Sequence, residues 1–437
     1  MFAYYLRLAL KSLRRNPILT ALMVAAIALG IGASMTSLTV LRAMSGNPLP
    51  HKEGLVLRPQ LDNWSPGRPF EEDGSPPNLM TYRDATNLSA AKAAKYQAAM
   101  FPNVLTIEPS NREIKPFMLQ VLFTQGDFFP MFDTPFAFGE GWSAEQDDSA
   151  ARVAVLSHEM NDKLFSGENS VGRDLRLGGE EFRIVGVLKP WEPSPRFYRI
   201  SSGAFGGLEE VFVPFKNGIE RQLQSSDNNN CWADPGNGYQ AWLDSECIWM
   251  DMWVQVASAS DRAAYNDFLT NYVNEQKKLG RFERPLNNRL SSVGEWLEEQ
   301  RVVPRDVRTQ VWMSFAFLMV CLVNTIGLLL AKFLARAPEI GLRRAVGASK
   351  RQVFTQYLTE AGMVGLIGAL VGLVLTGLGL AGLRLLYADT PSGEMAQLEP
   401  GMIAITVVVA LLASLLAGLY PTWKACQITP ATQLKSN

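Results

Sequence analysis

The sequence predicts an α-helical membrane domain of four transmembrane helices, with a large α+β extracytoplasmic domain inserted between helices 1 and 2. Three observations predict it. Four apolar runs, at 18–41, 311–334, 361–386 and 401–420, each reach the roughly 20 residues needed to cross a bilayer. The stretch 42–308 contains most of the Pro, Trp and acidic residues and no further run able to span. Basic residues crowd particular ends of the spans, and short loops rich in Lys and Arg stay on the cytoplasmic side. Composition agrees: 437 residues, 47% of them hydrophobic, carry a net charge of −1, and the mean hydropathy is +0.02. That suits a few spans joined to a sizeable soluble domain.

At residues 1–17, Phe2, Leu6, Leu10 and Leu13 share one helical face, and Arg7, Lys11, Arg14 and Arg15 the other. The pattern predicts an amphipathic helix lying on anionic headgroups at the cytoplasmic surface. Asn16-Pro17 breaks it and opens the first span, 18–41, whose apolar run exceeds the roughly 7–15 residues of a signal-peptide core. In 121–189, VLFTQGDFFPMF reads as a strand and short helix, and ARVAVLSHEMNDKLFSG as a strand and a helix from Ser157. DLRLGGEEFRIVGVL reads as a hairpin turning at Gly178-Gly179.

Residues 216–250, rich in Asn, Gly, Asp and Trp, read as a long solvated excursion bracketed by Cys231 and Cys247. On the oxidising side of the membrane these two cysteines are expected to pair, stabilising the loop by roughly 3 kcal/mol. Trp232, Trp242 and Trp249 offer either a binding surface or a small core on the disulfide. DMWVQV reads as a further strand, and 261–279 and 292–300 as helices. A stalk and second span follow at 309–335, a cytoplasmic loop at 336–360 and a third span at 361–387. A short external connection, 388–400, carries Asp389, Glu394 and Glu399 and leads to the fourth span, 401–421, and a cytoplasmic tail, 422–437.

The loop has a specific pattern. EIGLRRAVGASKRQV resembles the cytoplasmic loop of the MacB/FtsX family of ABC-transporter permeases, also called type VII, through Glu339, Ile340, Gly341, Arg344, Ala345, Gly347 and Ala348. The stretch 121–189 resembles that family's periplasmic core domain, which the resemblance assigns to 42–308. The resemblance implies that Glu339, Ile340, Gly341, Arg343, Arg344, Gly347 and Ala348 form a coupling helix on an ATPase. It would place Ile340 and Val346 in the partner's groove and the arginines on its acidic rim.

The motif G-x-x-x-x-G-K-[ST] is absent from this sequence, as are G-x-S-x-G, H-E-x-x-H and cysteine pairs at zinc-ligand spacing. The expectation is a permease subunit that is no enzyme itself and binds no cofactor, with ATP and Mg on a separate ABC ATPase. The apolar cores, between their flanking charges, hold no Asp, Glu, Lys, Arg or His, which argues against a proton-coupled carrier. Small residues recur at helical spacing and predict close helix packing: Ala26, Gly30 and Ser34; Gly365, Gly368 and Gly372; Ala410, Ser414 and Gly418.

The resemblance further implies a homodimer or heterodimer of permeases in the bacterial inner membrane, a possible periplasmic adaptor, and no nucleic-acid partner. Its function would be mechanotransmission, expelling peptide, antibiotic-like or lipidic substrates. The competing class is a signalling or scaffold protein whose external domain binds a ligand or regulates a cell-envelope enzyme.

Overall fold

The computed structural model describes residues 2–386, apart from 112, 202 and 208, and residues 400–427. The expected connection at 388–400 and most of the tail therefore lie outside the described residues. The chain forms two compact units, Met1–Ser45 with Val303–Asn437, and Gly46–Val302.

The first unit opens with α1 (Phe2–Arg15) and α2 (Pro17–Ser45). Ala9 and Leu13 of α1 pack inward, while Arg7, Lys11, Arg14 and Arg15 are exposed. Leu10, grouped by periodicity with the packed face, is exposed. Pro17 starts α2 where no amide donor is needed.

The second unit begins with β1 (Val56–Gln60), β2 (Met80–Thr81), α3 (Tyr82–Ala91), β3 (Tyr96–Glu108) and β4 (Phe117–Thr124). It continues through α4 (Phe128–Met131), β5 (Phe136–Gly139), α5 (Ala144–Asp148), β6 (Val153–Leu156) and α6 (His158–Phe165). The hairpin β7 (Asp174–Leu177) and β8 (Glu180–Leu188) follows, then β9 (Val211–Pro214), α7 (Phe215–Glu220) and α8 (Tyr239–Asp244). Last come β10 (Ile248–Gln255), α9 (Ala259–Lys278), β11 (Arg289–Ser292) and α10 (Val293–Glu299).

The strand pairings close on themselves. β3 pairs β4, β4 pairs β9, β9 pairs β6, β6 pairs β8, β8 pairs β7, and β7 returns to β3. This ring is possible because β3 is long: its first half pairs β10 and its end pairs β7 along the same edge. Alternate residues such as Leu105, Leu119, Val121, Phe182 and Val213 share one core. Ala98, Met100, Leu122 and Phe212, on the opposite faces, pack with Phe128, Tyr198 and Trp253 in another. The β7–β8 turn is made by Gly178 and Gly179 at φ +58° and +84°, which side chains rarely adopt.

Between β8 and β9 the described residues form no regular element, and buried ionic bonds replace ladder bonds. Glu209 accepts from Arg199 Nε at 2.8 Å and Nη2 at 2.6 Å, and from the Tyr198 hydroxyl at 2.5 Å. Arg196 lies 3.4 Å from the same carboxylate, and Arg199 also pairs with Asp227.

The stretch 216–250 departs from a wholly solvated excursion. It contains α8, and it ends in β10, of which all eight residues are buried because layers cover both faces. A Cys231–Cys247 disulfide closes the loop. Trp249 packs edge-on against Phe101 at 5.2 Å, and Trp232 donates to Asn63 O at 3.1 Å. The three tryptophans are thus half-buried or buried core pieces, not an exposed surface.

The chain re-enters the first unit at α11 (Arg305–Leu334), followed by α12 (Ala337–Ala345), α13 (Lys350–Leu386) and α14 (Pro400–Cys426). Among the described residues, four helices, α2, α11, α13 and α14, are long and apolar enough to cross a membrane. The third is longer than the sequence suggested. Its 37 residues span about 55 Å, against about 30 Å of hydrocarbon, so 350–360 is its first three turns rather than loop.

The small residues lie where helices meet. A side chain at Gly30 would come within 2.8 Å of Leu318 of α11, and Ser34 donates to Ser314 O at 2.9 Å. The glycine row of α13 is divided between neighbours: Gly368 and Gly372 face Ile27 and Ile31 of α2, whereas Gly365 faces Ser414 and Ala410 of α14. Gly418 of α14 faces Ala361. Ala26 is half-buried.

Candidate functional site

The loop motif folds as α12 and the turn that follows it. Pro338 stands in the first turn, where its missing amide costs nothing. Gly347 ends the helix at φ +107°, with its N–H and that of Ala348 donating to Arg344 O and Arg343 O at 3.2 and 3.0 Å. Ser349 and Gln352 then cap each other's backbone amides, at 3.2 and 2.9 Å, and start α13.

The two faces of α12 differ. Ala337, Ile340 and Gly341 are buried against the helical unit, Ile340 in the same apolar cluster as Phe333 and Tyr357. Ile340 is therefore not available to a partner's groove, contrary to the sequence expectation. Pro338, Leu342, Ala345 and Val346 are exposed, Leu342 by 62% and Val346 by 81%, and they recur at one-turn spacing. The charges at the edges of this stripe are anchored. Arg343 donates to Glu339 and Gln356 at 2.9 Å, Arg344 to Cys426 O at 3.2 Å, and Arg15 reaches Glu339 at 3.3 Å. Ala348 is half-buried behind the turn.

A feature absent from the sequence expectation lies at the root of this helix. Lys332 of α11 and Glu360 of α13 pair at 2.6 Å, with side chains 0% and 1% exposed. Arg336, the residue before α12, stands 3.6 Å from the same carboxylate and donates to Ser12 of α1, which in turn donates to Glu360. The helical bundle therefore does contain buried charge, correcting the view that ionisable residues only flank it. One carboxylate joins α1, α11, α13 and the entry to α12. Directly beside it, Phe333 and Tyr357 meet edge-on at 4.5 Å. The geometry is that of a fixed junction: the outward face of α12 can meet a partner, and its base is tied to α1, α11 and α13.

Among the described residues, no group of three or more His, Cys, Asp or Glu is placed to hold a metal ion. Cys321 and Cys426 are free and buried.

The comparisons with known proteins cover both units. The MacB-like periplasmic core domain family matches residues 20–272, well beyond 121–189, and the FtsX-like permease C-terminal family matches 311–430. The macrolide export ATP-binding/permease protein MacB of Syntrophobacter fumaroxidans is 23% identical over 480 residues, covering 99% of this chain and 64% of that protein. The pyoverdine export ATP-binding/permease protein PvdT of Pseudomonas entomophila is 26% identical over 318 residues, 71% of this chain and 42% of that protein. An ABC transporter permease of Bacillus subtilis, YknZ, is 23% identical over 284 residues, 65% of this chain and 62% of that one. The chain thus spans between 42% and 64% of the length of these relatives. The periplasmic region of MacB from Actinobacillus actinomycetemcomitans aligns with 58% of this chain and 97% of that one, at 12% identity and a TM-score of 0.37. With one family matching 20–272, more than half of the chain, and the other matching 311–430, the chain belongs to the MacB/FtsX-like family of type VII ABC transporter permeases.

Proposed function

We propose that this chain is the permease subunit of an ATP-driven transporter in the bacterial inner membrane. A separate ATPase, carrying ATP and Mg, docks on the outward face of α12 and drives conformational work in the unit Gly46–Val302. In this reading that unit stands in the periplasm between the first and second spans, and a second permease copy or homologue completes the complex. Its cargo would be a peptide, antibiotic-like or lipidic molecule, taken up with or without a periplasmic adaptor.

The observation that supports the reading is the exposed stripe Pro338–Leu342–Ala345–Val346, on a helix whose other face is locked to the bundle. Exposed apolar residues set between anchored arginines are what a docking helix needs: area to bury at the centre and charge at the rim. Leu342→Asp and Val346→Asp each leave the packed face intact. Each should weaken co-purification of the ATPase about tenfold or more, as loss of a central interface residue does, and remove permease-dependent ATP turnover. Unchanged association and turnover in both variants would sink the docking assignment, and with it the transporter reading over an ATP-independent receptor.

The topology has its own check. Cysteines placed at exposed Asn111 and Asn274 should react with a membrane-impermeant thiol reagent in cells permeable only at the outer membrane. Labelling that required lysis of the inner membrane would reverse the orientation.

A further inference from the structure

The unit Gly46–Val302 contains a cleft of about 1040 Å³ that the docking face does not involve. It opens beside α3, the turn after β4 and the segment leading into α5. Its size is that of a small-molecule site. Phe129, Phe136 and Trp142 form apolar walls, Phe129 and Trp142 meeting edge-on at 4.9 Å.

The polar lining carries five carboxylates, Asp127, Asp133, Glu140, Asp147 and Asp148, against three lysines, Lys92, Lys95 and Lys216. Gln97, only 7% exposed, gives its amide N–H to Ser89 O at 3.1 Å, and its Oε1 is closed off from solvent. Asp127 accepts the Gln97 backbone N–H on Oδ2 at 2.9 Å, and no donor reaches its Oδ1 among the described residues. Asp147 accepts Gly126 N–H at 2.6 Å and Trp142 Nε1–H at 2.7 Å. Burial pushes the Asp127 carboxyl up and that of Asp147 up to about 6. Such a lining lacks positive charge where it is least solvated. Asp127 Oδ1 is the acceptor left open to a donor from the cleft.

Other charges around the cleft do not supply it. Lys216 is held by Asp148 at 2.7 Å, and Asp133 is held by Lys52 and His51, both at 2.7 Å. Lys92 and Lys95 are exposed at the rim, where solvent and salt screen them. The carboxylates are not gathered as metal ligands, and aromatic walls suit an organic body.

We infer that this cleft binds a protonated amine carrying an aromatic or aliphatic group, with the ammonium on Asp127 and the apolar part against Phe129, Phe136 and Trp142. The site stands whether or not α12 docks an ATPase.

The probe is 2-phenylethylammonium, compared with its neutral analogue 2-phenylethanol by ligand-observed NMR. The full chain is held in zwitterionic lipid nanodiscs, with empty nanodiscs subtracted. The cation should bind about tenfold more tightly than the alcohol, the worth of one charge-assisted hydrogen bond. Asp127→Asn keeps an acceptor for Gln97 N–H and should remove that preference. Ala144→Lys, an exposed change on the cleft lip, should weaken the cation alone, and Ala144→Glu should strengthen it. Equal binding of cation and alcohol, no binding of either, or a preference that survives both Asp127→Asn and Ala144→Lys would each overturn the assignment.

Discussion

Glu360→Ala is expected to destabilise the helical unit by about 3–5 kcal/mol, because it leaves the Lys332 ammonium buried with no counter-charge. Lys332→Met should be milder, since Arg336 and Ser12 still face Glu360. Replacing both, as Lys332→Met with Glu360→Leu, removes the buried pair together and leaves Arg336, which is partly exposed, on Ser12. Apolar pairs of similar volume often match or exceed a buried ion pair in stability, so the double variant should recover most of the loss. Thermal unfolding in detergent, followed by size exclusion, measures all three.

The double variant also separates two roles of the junction. If the carboxylate fixes the base of α12 against α1, α11 and α13, a stable double variant should retain the ATPase and yet lose part of its coupled turnover. Full turnover in that variant would make the cluster a packing feature only. A double variant no more stable than Glu360→Ala would mean that the charges stabilise the fold through geometry that apolar side chains cannot replace.

Hydropathy made the four long helices legible, because a run of about 20 apolar residues has few other uses. The hairpin at Gly178-Gly179 was legible for a local reason, alternation on both sides of a two-residue turn. The buried charge was not read, although a signal existed. Val353, Tyr357, Glu360, Ala361 and Val364 recur at helical spacing and are all buried in α13. Reading that period across the start of the apolar run places Glu360 on the packed face. Treating 350–360 as loop hid it.

Ile340 and Leu342 show the opposite limit. Both are apolar residues in one short amphipathic helix, and only the position of the bundle decides that Ile340 is covered and Leu342 is free. The polar groups of the cleft are equally non-local. Gln97 lies in β3, Asp127 before α4 and Asp147 in α5, with no shared motif. Asp251 was unreadable for another reason. A carboxylate in a continuous apolar strand looks solvent-facing until Arg58, far away in β1, is found at 2.6 Å.

Glu209→Ala should be the most damaging single change in the unit Gly46–Val302. The carboxylate is fully buried, and it is shared by Arg199, Arg196 and Tyr198. Its loss leaves two guanidinium groups in the interior with their central counter-charge gone, at a cost of about 3–5 kcal/mol. A drop of roughly 10 °C in unfolding midpoint follows for a unit of this size. The pH dependence identifies the cause. Burial alone would raise the Glu209 carboxyl, but Arg199 and Arg196 outweigh it and hold it below its ordinary value. A lowered folded value means stability that is complete above the unfolded glutamate value of about 4.3 and is lost as pH falls through the folded one. Glu209→Gln cannot titrate and lacks that component. The difference in unfolding free energy between wild type and Glu209→Gln should therefore hold steady above about pH 5 and shrink on further acidification. Near-UV circular dichroism can follow it, since Trp253 donates to Tyr198 O at 2.9 Å beside the network. A difference that stays constant down to about pH 3 would mean that Glu209 acts through packing rather than charge.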